Sequence, residues 1–267
     1  MLVTTGLVLL TAARLGGFWL TLPVYLGVSL LLVYAQLPLA LTIGGLRRAP
    51  EVDGAVVLGS PYPHFTGGIV GLGKGRLVVP QAWRETLSKE ALELLLVRKK
   101  ALIANGSRLS GVLSALLWNF VGFSLAYGAA GTLANVAGLI SFSLWSTLWA
   151  FLGVLVLPTL SRRGVFAGDA LALAGGDDRT LLEKTIAELD KDQDDEYSRA
   201  TGVETIFHPI PSAARRITKL GVPTATWGPW HTARVALYLS WANLSLLSRA
   251  VHCNIGRPEV WVFLPSD

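Results

Sequence analysis

A single cysteine, Cys253, rules out any internal disulfide and fits a reducing compartment. Charge is also scarce. Only 15% of the 267 residues are Asp, Glu, Lys or Arg, against 52% hydrophobic residues, a balance unlike that of an ordinary soluble domain. The four histidines, His64, His208, His231 and His252, lie far apart without an i,i+4 pair, so each is expected to be structural rather than a metal ligand. No Gly-x-Ser-x-Gly elbow occurs. Gly71-Leu72-Gly73-Lys74-Gly75 lacks the Gly-Lys-Ser/Thr ending of a phosphate loop and reads better as a tight turn. The acidic run Asp190–Glu196 has neither the spaced ligands nor the turn glycine of a calcium loop, and is expected to be a solvated loop. These residues predict no metal and no cofactor.

What the chain does have is long uncharged stretches. Gly111 to Leu160 contains no charged residue. An α-helix needs about 20 apolar residues to cross the hydrocarbon of a bilayer, so this stretch is long enough to cross twice, with a turn near Gly128–Thr132. The first 46 residues carry one charge, Arg14, and their strongest apolar run is Phe18–Leu46, with Pro23 and Pro38 inside it. A helical hairpin, Val3–Leu20 and Val24–Leu46, is favoured here because a single crossing leaves much apolar chain unexplained, although it puts Arg14 at membrane depth. The alternative is a short interfacial segment, Leu2–Leu15, followed by one tilted span. No cleavable signal peptide is expected, for want of a basic leader and a clear cleavage site. Gly122, Gly128, Gly131, Gly138 and Gly153 would allow helices to approach closely.

Charge distribution predicts orientation. Ten of the 23 Lys and Arg residues lie between Arg47 and Arg108 and ten between Arg162 and Arg234, while the turn between the central spans has none. The positive-inside rule then places both basic regions in the cytoplasm. The net charge of +5 is read as topology and attraction to anionic lipid. Nucleic acid is not an expected partner, because the charges flank spans and form no aromatic-basic module. Arg47, Arg48 and Lys100 are candidate lipid-facing residues. So are Trp227, Trp230, Arg234 and Arg249, which bracket Val235–Ser248. Those 14 uncharged residues rise only about 21 Å as a helix, too short to cross. They suit a helix in the headgroup layer or one docked on other helices. The tail Glu259–Leu264 is strand-like.

Five segments follow: a membrane segment of one or two helices (1–46), a cytoplasmic region (47–110), a transmembrane hairpin (111–160), a second cytoplasmic region (161–226) and a C-terminal helix with its tail (227–267). In the soluble parts, Ala55–Leu58 is a short strand, and Ile69–Leu72 with Arg76–Val79 forms a hairpin around Gly73-Lys74-Gly75, closed by Pro80. A helix starts at Ser88, a capping residue, with Glu90 in its first turn, and runs towards Asn105-Gly106. Arg179–Leu189 is a further helix.

The order of these parts resembles the M48 family of integral membrane zinc metallopeptidases, relatives of the bacterial heat-shock peptidase and the CAAX-processing protease. The likeness spans about Gly67 to Leu220. It is carried by the hairpin and Leu87-Ser88-Lys89-Glu90-Ala91-Leu92-Glu93, by the two following spans, by Ser161-Arg162-Arg163 with Ala167-Gly168-Asp169-Ala170, and by Phe207-His208-Pro209 with Arg215-Arg216-Ile217 and Leu220. It implies a mainly α, multi-pass helical membrane protein with a cytoplasmic gluzincin-like α+β portion containing a small β-hairpin.

The zinc chemistry is what the resemblance lacks. The family's His-Glu-x-x-His places two ligands and the general base on one helix face. Carried over, those positions are Arg98, Lys99 and Leu102, and the third ligand position is Val165; only Asp169 keeps its residue type. Zinc takes neutral imidazole or anionic ligands, and none of the ligand positions offers one. Two readings of Arg98-Lys99-Lys100 stay open: a cytoplasmic flank that holds the helix against anionic lipid, or cations that fill the former cleft and pair internally with Asp169. The expected role is a pseudopeptidase, not an enzyme, serving as scaffold or accessory subunit among other membrane proteins. The alternatives are a regulator that holds peptide segments without cutting them, and an enzyme with rebuilt chemistry.

Overall fold

Uncharged stretches fold as helices and the basic stretch between them supplies the only strands of the described chain. The computed structural model describes residues 17–42, 44–61, 65–73, 75–176, 178–193 and 196–242. Helices α1 (Phe18–Tyr34) and α2 (Gln36–Thr42) are bent by 65° at the break between them. Of the expected N-terminal hairpin, residues 3–16 lie outside the described residues, and the expected break between Leu20 and Val24 falls inside α1, which runs through Pro23. Strands β1 (Arg47–Val52), β2 (Ala55–Gly59), β3 (Gly68–Val70) and β4 (Arg76–Pro80) form one mixed sheet in the order β1-β2-β4-β3. The expected hairpin is β3–β4, antiparallel, with Ile69 opposite Leu77. The β1–β2 hairpin was not expected. Its two-residue turn is Asp53-Gly54, both at positive φ (48° and 75°), the backbone that a tight antiparallel connection demands. Strands β2 and β4 pair in parallel.

Helix α3 (Trp83–Thr86) leads into α4 (Lys89–Ala104), which starts where the sequence predicts: the Ser88 side chain accepts the Ala91 N–H at 3.2 Å. Gly106, at φ 79°, turns the chain from α4 into α5 (Ser107–Ala130). After a short loop, the Asn135 side chain accepts the Gly138 N–H at 2.8 Å and opens α6 (Val136–Ala174). Helices α5 and α6 pack on each other and are the two described helices long and apolar enough to cross a membrane; α1 with α2 makes a third if the bent pair is one span. Helix α6, at 39 residues, is about 58 Å long, roughly twice the hydrocarbon thickness. It runs unbroken past Pro158 into the charged sequence, so a boundary at 160/161 falls inside a helix.

Helices α7 (Arg179–Gln193), α8 (Thr201–Phe207) and α9 (Ala213–Leu220) follow, then α10 (Thr232–Ala242). The acidic run is not a loop throughout: Asp190–Gln193 is the last turn of α7. Helix α10 begins before Val235 and packs on α1, α5 and α6, with the Tyr238 hydroxyl donating to Leu32 O at 2.9 Å. One apolar core joins α1, β2, β4, α5 and α10; a second lies between the sheet, α4 and Trp230; a third joins α4, α6, α7 and α9.

Residues 228–230 are wedged between α5 and α6, and glycine makes the room. A Cβ at Gly111 would meet Trp230 O at 1.9 Å, and one at Gly164 would meet Trp230 Cα at 2.3 Å. The Trp230 N–H donates to Ser107 O at 3.1 Å. Gly122 and Gly153 face side chains instead of backbone: a Cβ would stand 2.1 Å from Trp149 Cδ1 and 3.1 Å from Trp118 Nε1. Because backbone cannot swing aside, Gly111→Ala is expected to lower stability by about 2–3 kcal/mol. Gly27→Ala, where nothing lies within 4 Å of the new Cβ, is expected to leave stability unchanged or slightly raised. Thermal unfolding of the two variants in one detergent checks the contrast.

Candidate functional site

The four residues that the resemblance matches to a metal site and its neighbour, Arg98, Leu102, Val165 and Asp169, come together where α4 crosses α6. One turn separates Arg98 from Leu102 on α4, and one turn separates Val165 from Asp169 on α6. All four are buried, Arg98, Leu102 and Val165 completely. The Arg98 guanidinium donates from Nε to Asp169 Oδ1 at 2.9 Å and from Nη2 to the Val165 carbonyl at 3.1 Å. Gly168 permits this: a Cβ there would stand 3.0 Å from Arg98 Nη2 and 3.1 Å from Leu102 Cδ1.

A second arginine, which reading for ligands passed over, completes the cluster. Arg216 on α9 donates from Nε to Asp169 Oδ2 at 3.0 Å and from Nη2 to Oδ1 at 2.8 Å. One carboxylate thus receives two guanidinium groups in a space closed to water. Lys99 is the next residue along α4 after Arg98. It too is buried, with its Nζ 5.6 Å from the centre of the Trp83 ring and 5.8 Å from that of Trp230, within cation–π range.

These placements decide between the two readings of the cationic triplet. Arg98 and Lys99 are interior groups, so the lipid-flank expectation fails for them and the internal pairing with Asp169 is found. Lys100 alone of the three is exposed. Arg47 and Arg48 are exposed on β1. Trp227 is exposed, but Trp230 and Arg234 are packed inside the protein, against the expectation that they face lipid. The reason is the wedge described above, which carries Trp230 between α5 and α6. Arg249 lies outside the described residues.

Around the cluster, Arg162 donates to the carbonyls of Glu204, Thr205 and His208 at 2.8–3.0 Å, closing the C-terminal end of α8. Glu204, itself buried, accepts from Arg215 Nη1 at 2.7 Å and from the Ser212 N–H at 3.2 Å. Burial alone would raise the Glu204 carboxyl. The hydrogen bonds from Ser212 and Arg215 and the charge of Arg215 outweigh it and hold the group below its ordinary range. A cavity of about 330 Å³ opens beside Asp169, lined also by Phe166, Leu173, Lys219, Val222 and Thr226.

Zinc does not fit these residues. The ligand positions hold a guanidinium and two aliphatic side chains, the base position holds an ammonium, and the one carboxylate is already engaged by two arginines. What the arrangement can do is tie α4, α6 and α9 together. No protein-family model matches the chain, and no curated protein is significantly similar to it.

Asp169→Asn is expected to cost about 3–5 kcal/mol, because it strands two buried guanidinium groups; chemical denaturation of the purified chain reads this directly. For Glu204 the sign follows from its lowered value. Its contribution is complete near neutral pH and is lost as pH falls through the folded value, below the unfolded value of about 4.3. Glu204→Gln is therefore expected to melt below the wild type at pH 7 and to converge with it in acid, as melting curves across that range will show.

Proposed function

We propose that this chain is a catalytically inactive M48-like membrane protein, a pseudopeptidase that works as a scaffold or accessory subunit of a membrane complex. The observation that carries the reading is the convergence of Arg98, Leu102, Val165 and Asp169, residues 63 or more apart across the two pairs of the sequence, at one buried point. Those are the positions that the family resemblance assigns to its metal site. A guanidinium fills the point and ion pairs take over the tie between helices. Peptide hydrolysis by a metal-bound water has no ligand set and no base here.

The membrane part of the reading rests on surface chemistry. Leu113, Leu117 and Leu125 on α5 and Ile140, Leu144 and Phe151 on α6 are exposed. In the most apolar window of α6 only 6% of the residues are buried by the protein itself. A continuous apolar face of that kind is an aggregation hazard in water and is covered by hydrocarbon or by neighbouring spans. The basic segments then lie on the cytoplasmic side of the inner membrane, with the Arg98–Asp169 cluster in the soluble portion.

Extraction of the tagged chain from its native membrane in mild detergent, followed by mass spectrometry, tests the role. Stoichiometric co-purification of other membrane subunits is expected; a chain that emerges alone, or one that cleaves peptides, contradicts it. The cavity beside Asp169 supports a second reading, a regulator that holds extended peptide without cutting it. Saturable binding of a labelled extended peptide, abolished by filling the cavity with Ala170→Trp, would favour that reading over the first.

A further inference from the structure

The cavity beside Asp169 has largely apolar walls and one open charge. Phe166, Ala170, Leu173 and Ala174 recur along α6 at spacings of four, three and one, which puts them on one helix face. Val222 and Pro223, in the chain that leaves α9, add to the apolar lining. Two of the four α6 residues are alanine, and their short side chains leave room between helix and loop. The loop is tied at both ends. The Val222 N–H donates to Lys219 O at 3.1 Å, and Thr226 O accepts from Asn105 Nδ2, at the end of α4, at 2.7 Å.

Two ionisable residues border the space, Asp169 and Lys219. Asp169 is engaged on both oxygens, accepting from Arg98 Nε and from Nε and Nη2 of Arg216 at 2.8–3.0 Å. Lys219 is exposed, and among the described residues its ammonium makes no ion pair and no hydrogen bond. The charge left open at this apolar cavity is thus positive. Its volume of about 330 Å³ lies at the small end of ligand sites, about 300–1,000 Å³. At roughly 30 Å³ for each water-sized group, such a space holds about eleven heavy atoms.

We propose that the cavity binds a small carboxylic acid with an apolar tail, a fatty acid of about eight to ten carbons. The tail lies against the α6 face and the loop, where it leaves water. The carboxylate stays at the rim beside Lys219. A phosphate is the poorer match, because a lone ammonium is a flexible point charge and no guanidinium lines the cavity. A cationic chain would be repelled by Lys219, and a neutral one would leave it idle. The inference rests on the cavity alone. It does not depend on the pseudopeptidase reading, and it competes with the peptide reading for the same space.

The test places the full chain in phosphatidylcholine nanodiscs, where no free detergent competes for the cavity. Octanoate binding is measured by titration calorimetry with empty discs subtracted, beside octanol and octylammonium. Octanoate is expected to saturate and to bind at least about fivefold more tightly than either analogue, the scale of one exposed charge pair. From hexanoate upwards affinity is expected to rise about fourfold per methylene, the worth of one buried CH₂. It levels off near decanoate, where the cavity is full, whereas partition into lipid keeps climbing. Lys219→Glu is expected to remove the preference for the acid. Ala170→Trp is expected to abolish saturable binding; if that variant fails to fold, Ala174→Trp, at the exposed rim, replaces it. Unsaturable uptake, equal binding of octylammonium, or binding that survives these substitutions overturns the proposal. So does an extended peptide that occupies the cavity and that octanoate does not displace.

Discussion

Asp169 is the hinge of the architecture in the energetic sense: a buried carboxylate that two guanidinium groups reach from different helices. Its partners, Arg98 and Arg216, lie 71 and 47 residues away in the sequence, so the cluster fixes how α4, α6 and α9 meet. Taking such charges out of water is expensive, and an apolar substitute of equal shape is often no less stable. What the ions add is directionality. Leu94, Ala172, Leu182 and Ala213 could slide past one another as a purely apolar core, whereas the hydrogen bonds on both oxygens of Asp169 hold one register.

That register connects two parts of the molecule through a single rod. Helix α6 carries an exposed apolar face along its first half and Asp169 near its end. The 228–230 wedge locks the same helix to α5 through Gly164 and Gly111. A protein built in this way joins its exposed apolar helices firmly to the sheet and shorter helices beside them, and that junction is what the proposed scaffold role would use. The same junction concentrates buried cations. Near its far end, Arg98 and Arg216 share the carboxylate of Asp169.

Much of this was legible in the sequence, and the exceptions share a cause. Ser88 announced the start of α4 because capping chemistry is local, and the β3–β4 hairpin followed from its glycines. The pairing of Arg98 with Asp169 could be posed as one of two readings, since the resemblance sets a cation at one expected ligand position and an Asp beside another. Arg216 was read only as part of Arg215-Arg216-Ile217 and not as a partner of Asp169, because no local signal links residues 47 apart. Strand β1 was missed although Asp53-Gly54 is a strong hairpin signal; Arg47-Arg48 drew the reading towards lipid. Trp230 and Arg234 misled in the same way. An aromatic and a cation at the end of an apolar run look identical whether they meet headgroups or a neighbouring helix, and only the glycine-lined wedge tells the two apart. The end of the charge-free stretch at Leu160 marked a change of surroundings, not the end of a helix, and α6 continues through it.

The central claim is that an ion pair holds α4 to α6 at the point where the proposed resemblance would put a metal. The most direct measurement is a charge-exchange cycle on the purified chain: Arg98→Asp, Asp169→Arg and the two together, each followed by denaturant unfolding. The account predicts that each single change is strongly destabilising and that the double variant regains a large part of the loss, with a coupling of about 1–3 kcal/mol. Strictly additive losses in the double variant would contradict it, because they would mean that the two side chains merely lie close together and that something else ties the helices.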